Sequence, residues 1–151
     1  MTSMAEAATQ STSIAATPES VRAVVLDIER YPEWAKDVKS AVVLERDDAG
    51  RPLEVEFRAS AIGRSAHYTL RYDWSGDPER VAWKLVKGDI VQAIDGSYLF
   101  TPSTTVEGGT DVVYDLAIEL VMPLPGFVKR RAEVRILNTL RELKVRAEEQ
   151  A

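Results

Sequence analysis

The feature that most constrains this chain is a change of hydrophobic period. Between residues 41 and 120 apolar side chains recur at every second position, and beyond 126 they recur at helical spacing. Leu53, Val55, Phe57 and Ala59 alternate with Glu54, Glu56, Arg58 and Ser60. Ala66, Tyr68, Leu70, Tyr72 and Trp74 alternate with His67, Thr69, Arg71 and Asp73. A period of two with one apolar face is the pattern of a strand that is wet on one side. Turn-rich stretches at 47–50, 62–64, 75–79, 87–89 and 102–109 divide the region into six strands. Hairpin-length connections make those strands antiparallel.

Before them, 9–15 reads as a further strand and 1–8 as a flexible N-terminus. Thr17, Pro18 and Glu19 form a helix start, and Val21, Val24, Val25 and Ile28 give it one buried stripe. Pro32 disfavours helical geometry at Tyr31, so the helix is expected to end near Arg30, with a second short turn at 32–35. At the other end, Val134, Leu137, Leu140 and Ala147 line one face of a long helix, flanked by Ile136 and Leu143. The expected fold is α+β, one domain over 9–149. A seven-stranded curved antiparallel sheet wraps around a long C-terminal helix, with two short helices between strands 1 and 2. A long twisted sheet curls, and one helix fills its concavity incompletely, which predicts an internal apolar cavity.

Alternation populates that cavity. Phe57, Tyr68, Leu70, Tyr72, Trp83, Gln92, Ile94, Tyr98, Tyr114 and Leu116 fall on the apolar strand faces, and Val134 and Leu137 face back from the helix. These are the candidate ligand-binding residues. Trp74 shares the same face. A buried phenol hydroxyl or indole N–H requires a partner, which a ligand or ordered water supplies.

Composition narrows the chemistry. The chain of 151 residues has no cysteine and one histidine, His67. Disulfides, thiol nucleophiles and Cys- or His-rich metal sites are thereby excluded, and no metal or cofactor is expected. His67 falls on the polar face, as do the carboxylates Glu54 and Glu56. Asp95 and Asp115 read as surface ion-pair partners, so no catalytic residue is assigned. The net charge of −5 argues against nucleic acid as a partner. It hides an asymmetry, since 126–151 carries +3 and the remainder −8. Lys129, Arg130 and Arg131 stand at the start of the long helix, where cations oppose the helix dipole, and offer a transient contact with an anion or membrane surface. No basic, apolar leader opens the chain and no apolar run reaches membrane-spanning length. A cytoplasmic monomer or homodimer is expected, and the missing cysteines agree with a reducing compartment.

Several segments carry a family resemblance. They are Ala16-Thr17-Pro18-Glu19-Ser20-Val21, Asp27-Ile28-Glu29-Arg30-Tyr31-Pro32-Glu33-Trp34, Val81-Ala82-Trp83-Lys84-Leu85, Asp95-Gly96-Ser97-Tyr98, Gly109-Thr110-Asp111-Val112 and Pro123-Leu124-Pro125-Gly126-Phe127. Together they resemble the SRPBCC or START-like superfamily, the helix-grip fold, and within it the bacterial polyketide cyclase/dehydrase and lipid-transport branch. The resemblance implies a tunnel between sheet and C-terminal helix that holds a hydrophobic small molecule, lipid-like or polyketide. It implies a carrier or sequestering protein first. A metal-free polyketide cyclase/dehydrase is the alternative, and a regulatory interaction module akin to coenzyme Q-binding or toxin-like members is a further one. Enzymatic activity stays open at this point.

Overall fold

The computed structural model describes residues 4–61, 64–120 and 129–150. Seven strands form one antiparallel sheet: β1 (Met4–Ile14), β2 (Val38–Arg46), β3 (Pro52–Ala61), β4 (Arg64–Asp73), β5 (Arg80–Gly88), β6 (Val91–Pro102) and β7 (Thr110–Leu120). Their spatial order is β1-β7-β6-β5-β4-β3-β2, so every neighbouring pair but β1–β7 is a simple hairpin. The short helix α1 (Pro18–Leu26) and a 3₁₀ turn (Ile28–Glu33) lie between β1 and β2, and the long helix α2 (Lys129–Glu149) ends the chain. The expected curved sheet, two short helices and long terminal helix are all present.

Three boundaries differ from expectation, each for a local reason. Residues 4–8, expected to fray, belong to β1, where Met4 pairs with Leu120 and Ala8 with Leu116. Backbone pairing along β7 holds this small-residue stretch without large side chains. Helix α1 ends at Leu26, ahead of Arg30, because Asp27 takes a non-helical ψ of 65°. The Tyr31 hydroxyl then donates to the Val25 carbonyl, one of the acceptors a helix end leaves unpaired. The turn expected at 32–35 lies earlier, at Ile28–Glu33, with Pro32 inside it.

The strand faces obey the alternation. Val55, Phe57, Leu70, Tyr72, Val81, Trp83, Ile94, Tyr98, Val112 and Tyr114 are buried, with Ile14, Val21, Val25 and Ile28 from the first third of the chain and Leu140, Leu143 and Ala147 from α2. The C-terminal half of α2 is tied down on two sides. Lys144 Nζ donates to the Ser13 carbonyl at 2.7 Å, and Ala15 N donates to Glu148 Oε2 at 2.8 Å. Toward the 3₁₀ turn, Arg146 pairs with Glu33 at 2.7 Å, and Lys36 N donates to Glu142 Oε2 at 3.3 Å. These contacts fix the helix across the mouth of the curled sheet. Among the described residues, no helix is long and apolar enough to cross a membrane.

Candidate functional site: an aromatic cavity under the terminal helix

A cavity of about 210 Å³ lies between the sheet and α2. Strands β3 to β7 supply its walls through Phe57, Tyr68, Leu70, Tyr72, Trp83, Ile94, Tyr98, Tyr114, Leu116 and Ile118. The segment after α1 supplies Tyr31, Trp34, Ala35, Asp37 and Val38, and α2 supplies Thr139 and Glu142. Ring contacts join most of the aromatic walls. Phe57 stacks on Tyr68 at 5.5 Å between centroids, Trp83 lies 5.2 Å from Tyr98, and Tyr98 lies 4.6 Å from Tyr114.

The position of Trp83 depends on a glycine. Trp83 and Gly96 are cross-strand partners, and the indole lies over the Gly96 Cα. A Cβ at residue 96 would overlap the indole ring, so glycine is required there for packing.

Nine of the twelve expected lining residues line this cavity, Gln92 and Leu137 do not, and Val134 lies outside the described side chains. Gln92 points outward, exposed, with Nε2 donating to Glu119 Oε1 at 3.1 Å. A bulge between Val91 and Ala93 causes this, because the extra residue resets the alternation so that Val91 and Ile94 both face inward. Leu137 is half-buried but does not line the cavity, where α2 presents Thr139 and Glu142. The side chain of Val134 lies outside the described residues, as do those of Lys129, Arg130 and Arg131. Among the lining residues that sequence reasoning missed are Tyr31, Trp34, Asp37, Thr139 and Glu142. The aromatic pair flanking Pro32 was the available signal for the first two.

The polar inventory of the cavity is small. Tyr31 spends its hydroxyl on Val25. The hydroxyls of Tyr72, Tyr98 and Tyr114 make no hydrogen bond with any described residue. Burial, then the neighbouring phenols, pushes all four of these tyrosines above the ordinary phenol range. They are therefore neutral O–H donors at any physiological pH. Burial also raises the Glu142 carboxyl, against the opposing pull of the Lys36 N–H, and Asp37 beside it raises it further. Lysine, arginine and histidine are absent from the described lining.

The other candidates stand outside. His67 is exposed on β4, its backbone N–H donating to Asp89 Oδ1 at 3.1 Å. Glu54 pairs with Arg71 at 3.3 Å, Asp95 with Lys84 at 3.8 Å, and Asp115 accepts from the Thr9 hydroxyl. A larger hollow of about 920 Å³ opens on the outer face of β4, β5, β6, β7 and β1, walled by Arg71, Asp73, Arg80, Lys84, Asp95 and Asp115. It is a charged, open saddle, and the smaller apolar cavity is the better receptor for a small molecule. Among the described residues no group of three or more His, Cys, Asp or Glu is placed to hold a metal.

A seven-stranded sheet curled on one long helix around an apolar cavity defines the helix-grip class. The chain belongs to the family described as polyketide cyclase/dehydrase and lipid transport, whose model matches residues 5–148. Its fold is similar to that of a START superfamily protein from Mycobacterium smegmatis, with a TM-score of 0.87 at 23% identity, covering 96% of this chain and 99% of that one. The Zhui aromatase/cyclase from a Streptomyces species superposes with a TM-score of 0.75 at 17% identity, over 97% of this chain and 95% of that one. A protein from Thermus thermophilus gives a TM-score of 0.73 at 24% identity, over 95% and 94%. Among curated proteins, none matches the chain in sequence.

Proposed function

We propose that this chain holds a compact apolar or aromatic molecule in the cavity beneath α2, as a carrier or sequestering protein. The observation that carries this reading is the cavity itself. It is walled by aromatic rings from five strands and the 3₁₀ segment, and α2 lies across it. Its volume of about 210 Å³ is below the roughly 300–1,000 Å³ of drug-sized sites. At about 30 Å³ per water it holds about seven waters, which suits one or two fused rings better than a long acyl chain. The family description, which includes lipid transport, supports the same class of cargo.

Naphthalene is the simplest probe of this reading. Calorimetric titration is expected to show one site per chain, and a saturating excess should raise Tm, because a ligand that binds only the folded state stabilises it. Ile94→Phe, which fills the cavity from β6, should abolish binding while leaving the chain folded. No heat and no Tm shift with the wild-type chain would sink the proposal.

A second reading, a cyclase/dehydrase, is favoured by one observation. Buried tyrosine donors face the cavity in a chain whose fold covers 95% of the Zhui aromatase/cyclase. Such catalysis would use neutral phenols to hold and protonate a ketone oxygen as it develops charge. Incubation with a poly-β-ketone should then give a cyclised product, and Tyr→Phe changes in the cavity should remove it.

A further inference from the structure

The outer face of the sheet carries a hollow of about 920 Å³ that takes no part in the cavity. Strand pairing fixes which residues stand there side by side. Ser97 of β6 lies between Ala82 of β5 and Asp115 of β7. Two residues along in one direction, Asp95 lies between Lys84 and Ala117. Two residues along in the other, Leu99 lies between Arg80 and Val113. These positions alternate with Val81, Trp83, Tyr98, Val112 and Tyr114, which are buried on the inner face.

Charge on this face is sorted by strand. Strand β5 presents two exposed cations, Arg80 and Lys84, with the small Ala82 between them. Strand β7 presents the exposed carboxylate Asp115, level with Ala82 across β6. The two rows are two strand spacings apart, roughly 10 Å. The contacts these charges make within the chain are loose. Lys84 reaches Asp95 at 3.8 Å with the side chains 82% and 60% exposed, and Asp115 accepts from the neutral hydroxyl of Thr9. An exposed pair of that kind contributes little to stability.

A two-fold axis laid along β6, in the plane of the face, exchanges the β5 and β7 rows. It brings Asp115 of a second copy over Ala82, between Arg80 and Lys84. We propose that this face is where two copies of the chain pair, the Arg80 and Lys84 of each copy holding the Asp115 of the other. The contact is isologous, so each clasp forms twice. Arg80 and Lys84 are four residues apart on one strand, about 14 Å between Cα atoms, and their long side chains lean in over Ala82. Leu99 is 38% exposed and lies on the axis, where it meets its own counterpart. Asp95 also lies on the axis, and there the Lys84 of both copies flank the two carboxylates. The strands of the two sheets run aligned, a standard way for sheets to pack face to face. The long cationic side chains fill the facing hollows. This pairing is independent of what the inner cavity holds.

Sedimentation velocity tests it. The wild-type chain should sediment as a dimer at about 10–100 µM in low salt, and about 1 M NaCl should shift it toward monomer, because the screening length falls to about 3 Å. Asp115→Arg sets a cation between two cations, and the double variant Arg80→Asp with Lys84→Asp sets a carboxylate between two carboxylates. Each change acts twice, so each variant should lose about a hundredfold in association and sediment as a monomer. Both alter exposed side chains, and circular dichroism confirms that each is folded. Mixed in equal amounts, the two should form a heterodimer, since the unchanged clasp of one holds the unchanged Asp115 of the other and the reversed pair does the same. A monomeric wild-type chain at about 100 µM in low salt overturns the proposal. So does a dimer that survives both charge reversals, which would place the contact on another surface, or a mixture of the two folded variants that stays monomeric.

Discussion

At the scale of single residues, Gly96 and Trp83 show how one missing side chain shapes the site. The indole occupies the space where a Cβ at residue 96 would stand. Gly96→Ala is expected to cost about 1–3 kcal/mol, the range for overpacking a filled interior. Chemical denaturation of Gly96→Ala, of Trp83→Leu and of the double variant checks this. In the Trp83→Leu background the alanine should cost much less. Glu142 is a second such residue. Burial raises its carboxyl, so the fold favours the neutral form. The stability this contributes is full below the unfolded pKa and is lost as pH rises through the folded one. Glu142→Gln keeps an oxygen to accept the Lys36 N–H. It should therefore melt above wild type at pH about 7, with the gap closing near pH 4 and below. Thermal melts at both pH values read it directly. Neither the indole's need for a glycine nor the burial that raises the Glu142 carboxyl is legible in the sequence, because both arise from packing against another element. Gln92 was misread for a related reason. Alternation counts residues two by two, and a bulge at 91–93 adds one without leaving a Gly or Pro to mark it.

At the scale of elements, the strands were legible and the helix faces only partly so. A strand in this sheet has one wet face and one dry face, and Glu54, Glu56 and Arg58 against Val55, Phe57 and Ala59 display both. Helix α2 touches core, cavity and solvent in turn, so a stripe of Leu and Val does not say which part of it meets the cavity. Leu140 and Leu143 pack into the core, while the polar Thr139 and Glu142 look into the cavity. Tyr31 and Trp34 escaped because the 3₁₀ turn that carries the first and ends at the second is too short to show a period. The capping of α1 was readable: Thr17 Oγ1 accepts from Ser20 N at 3.1 Å. Thr17→Ala should cost about 1 kcal/mol, measured by urea unfolding. The joint between β1 and the β6–β7 loop is tied by Asp111, whose Oδ1 accepts from the hydroxyls of Ser13 at 2.6 Å and Ser103 at 2.8 Å. Those bonds hold its carboxyl below the usual range. The stability it gives is present above the unfolded pKa and is lost as pH falls through the folded one. Acidification from pH about 7 to 3 should therefore lower Tm more in the wild type than in Asp111→Asn, whose amide oxygen accepts without titrating.

At the scale of the whole molecule, an open seven-stranded sheet has two edges to protect. Helix α2 holds the end of β1 through Lys144 and Glu148. On β2 the Val43 N–H donates to Glu29 Oε2 at 3.1 Å, and Arg46 pairs with the same carboxylate at 3.6 Å. That matters because Val42 and Leu44 are 47% and 53% exposed on this strand. An uncovered strand with apolar side chains invites pairing with another copy. Glu29→Ala should thus raise concentration-dependent self-association, read by light scattering behind a sizing column, while the wild type stays unchanged over the same range. The overall architecture was readable because strand number, hairpin spacing and a single long helix leave few ways to close a core. The partner of the first strand was not, since nothing in residues 4–14 names β7. That pairing sets the order of events at birth. Ile14 meets Thr110 and Met4 meets Leu120, so the opening segment leaves the ribosome without its mate. At about 5–20 residues per second, the roughly hundred residues between them take several seconds to emerge. The sheet is sealed only once β7 has emerged, and nascent copies cut short before β7 would carry an unsatisfied β1, a ready target for chaperones or for one another.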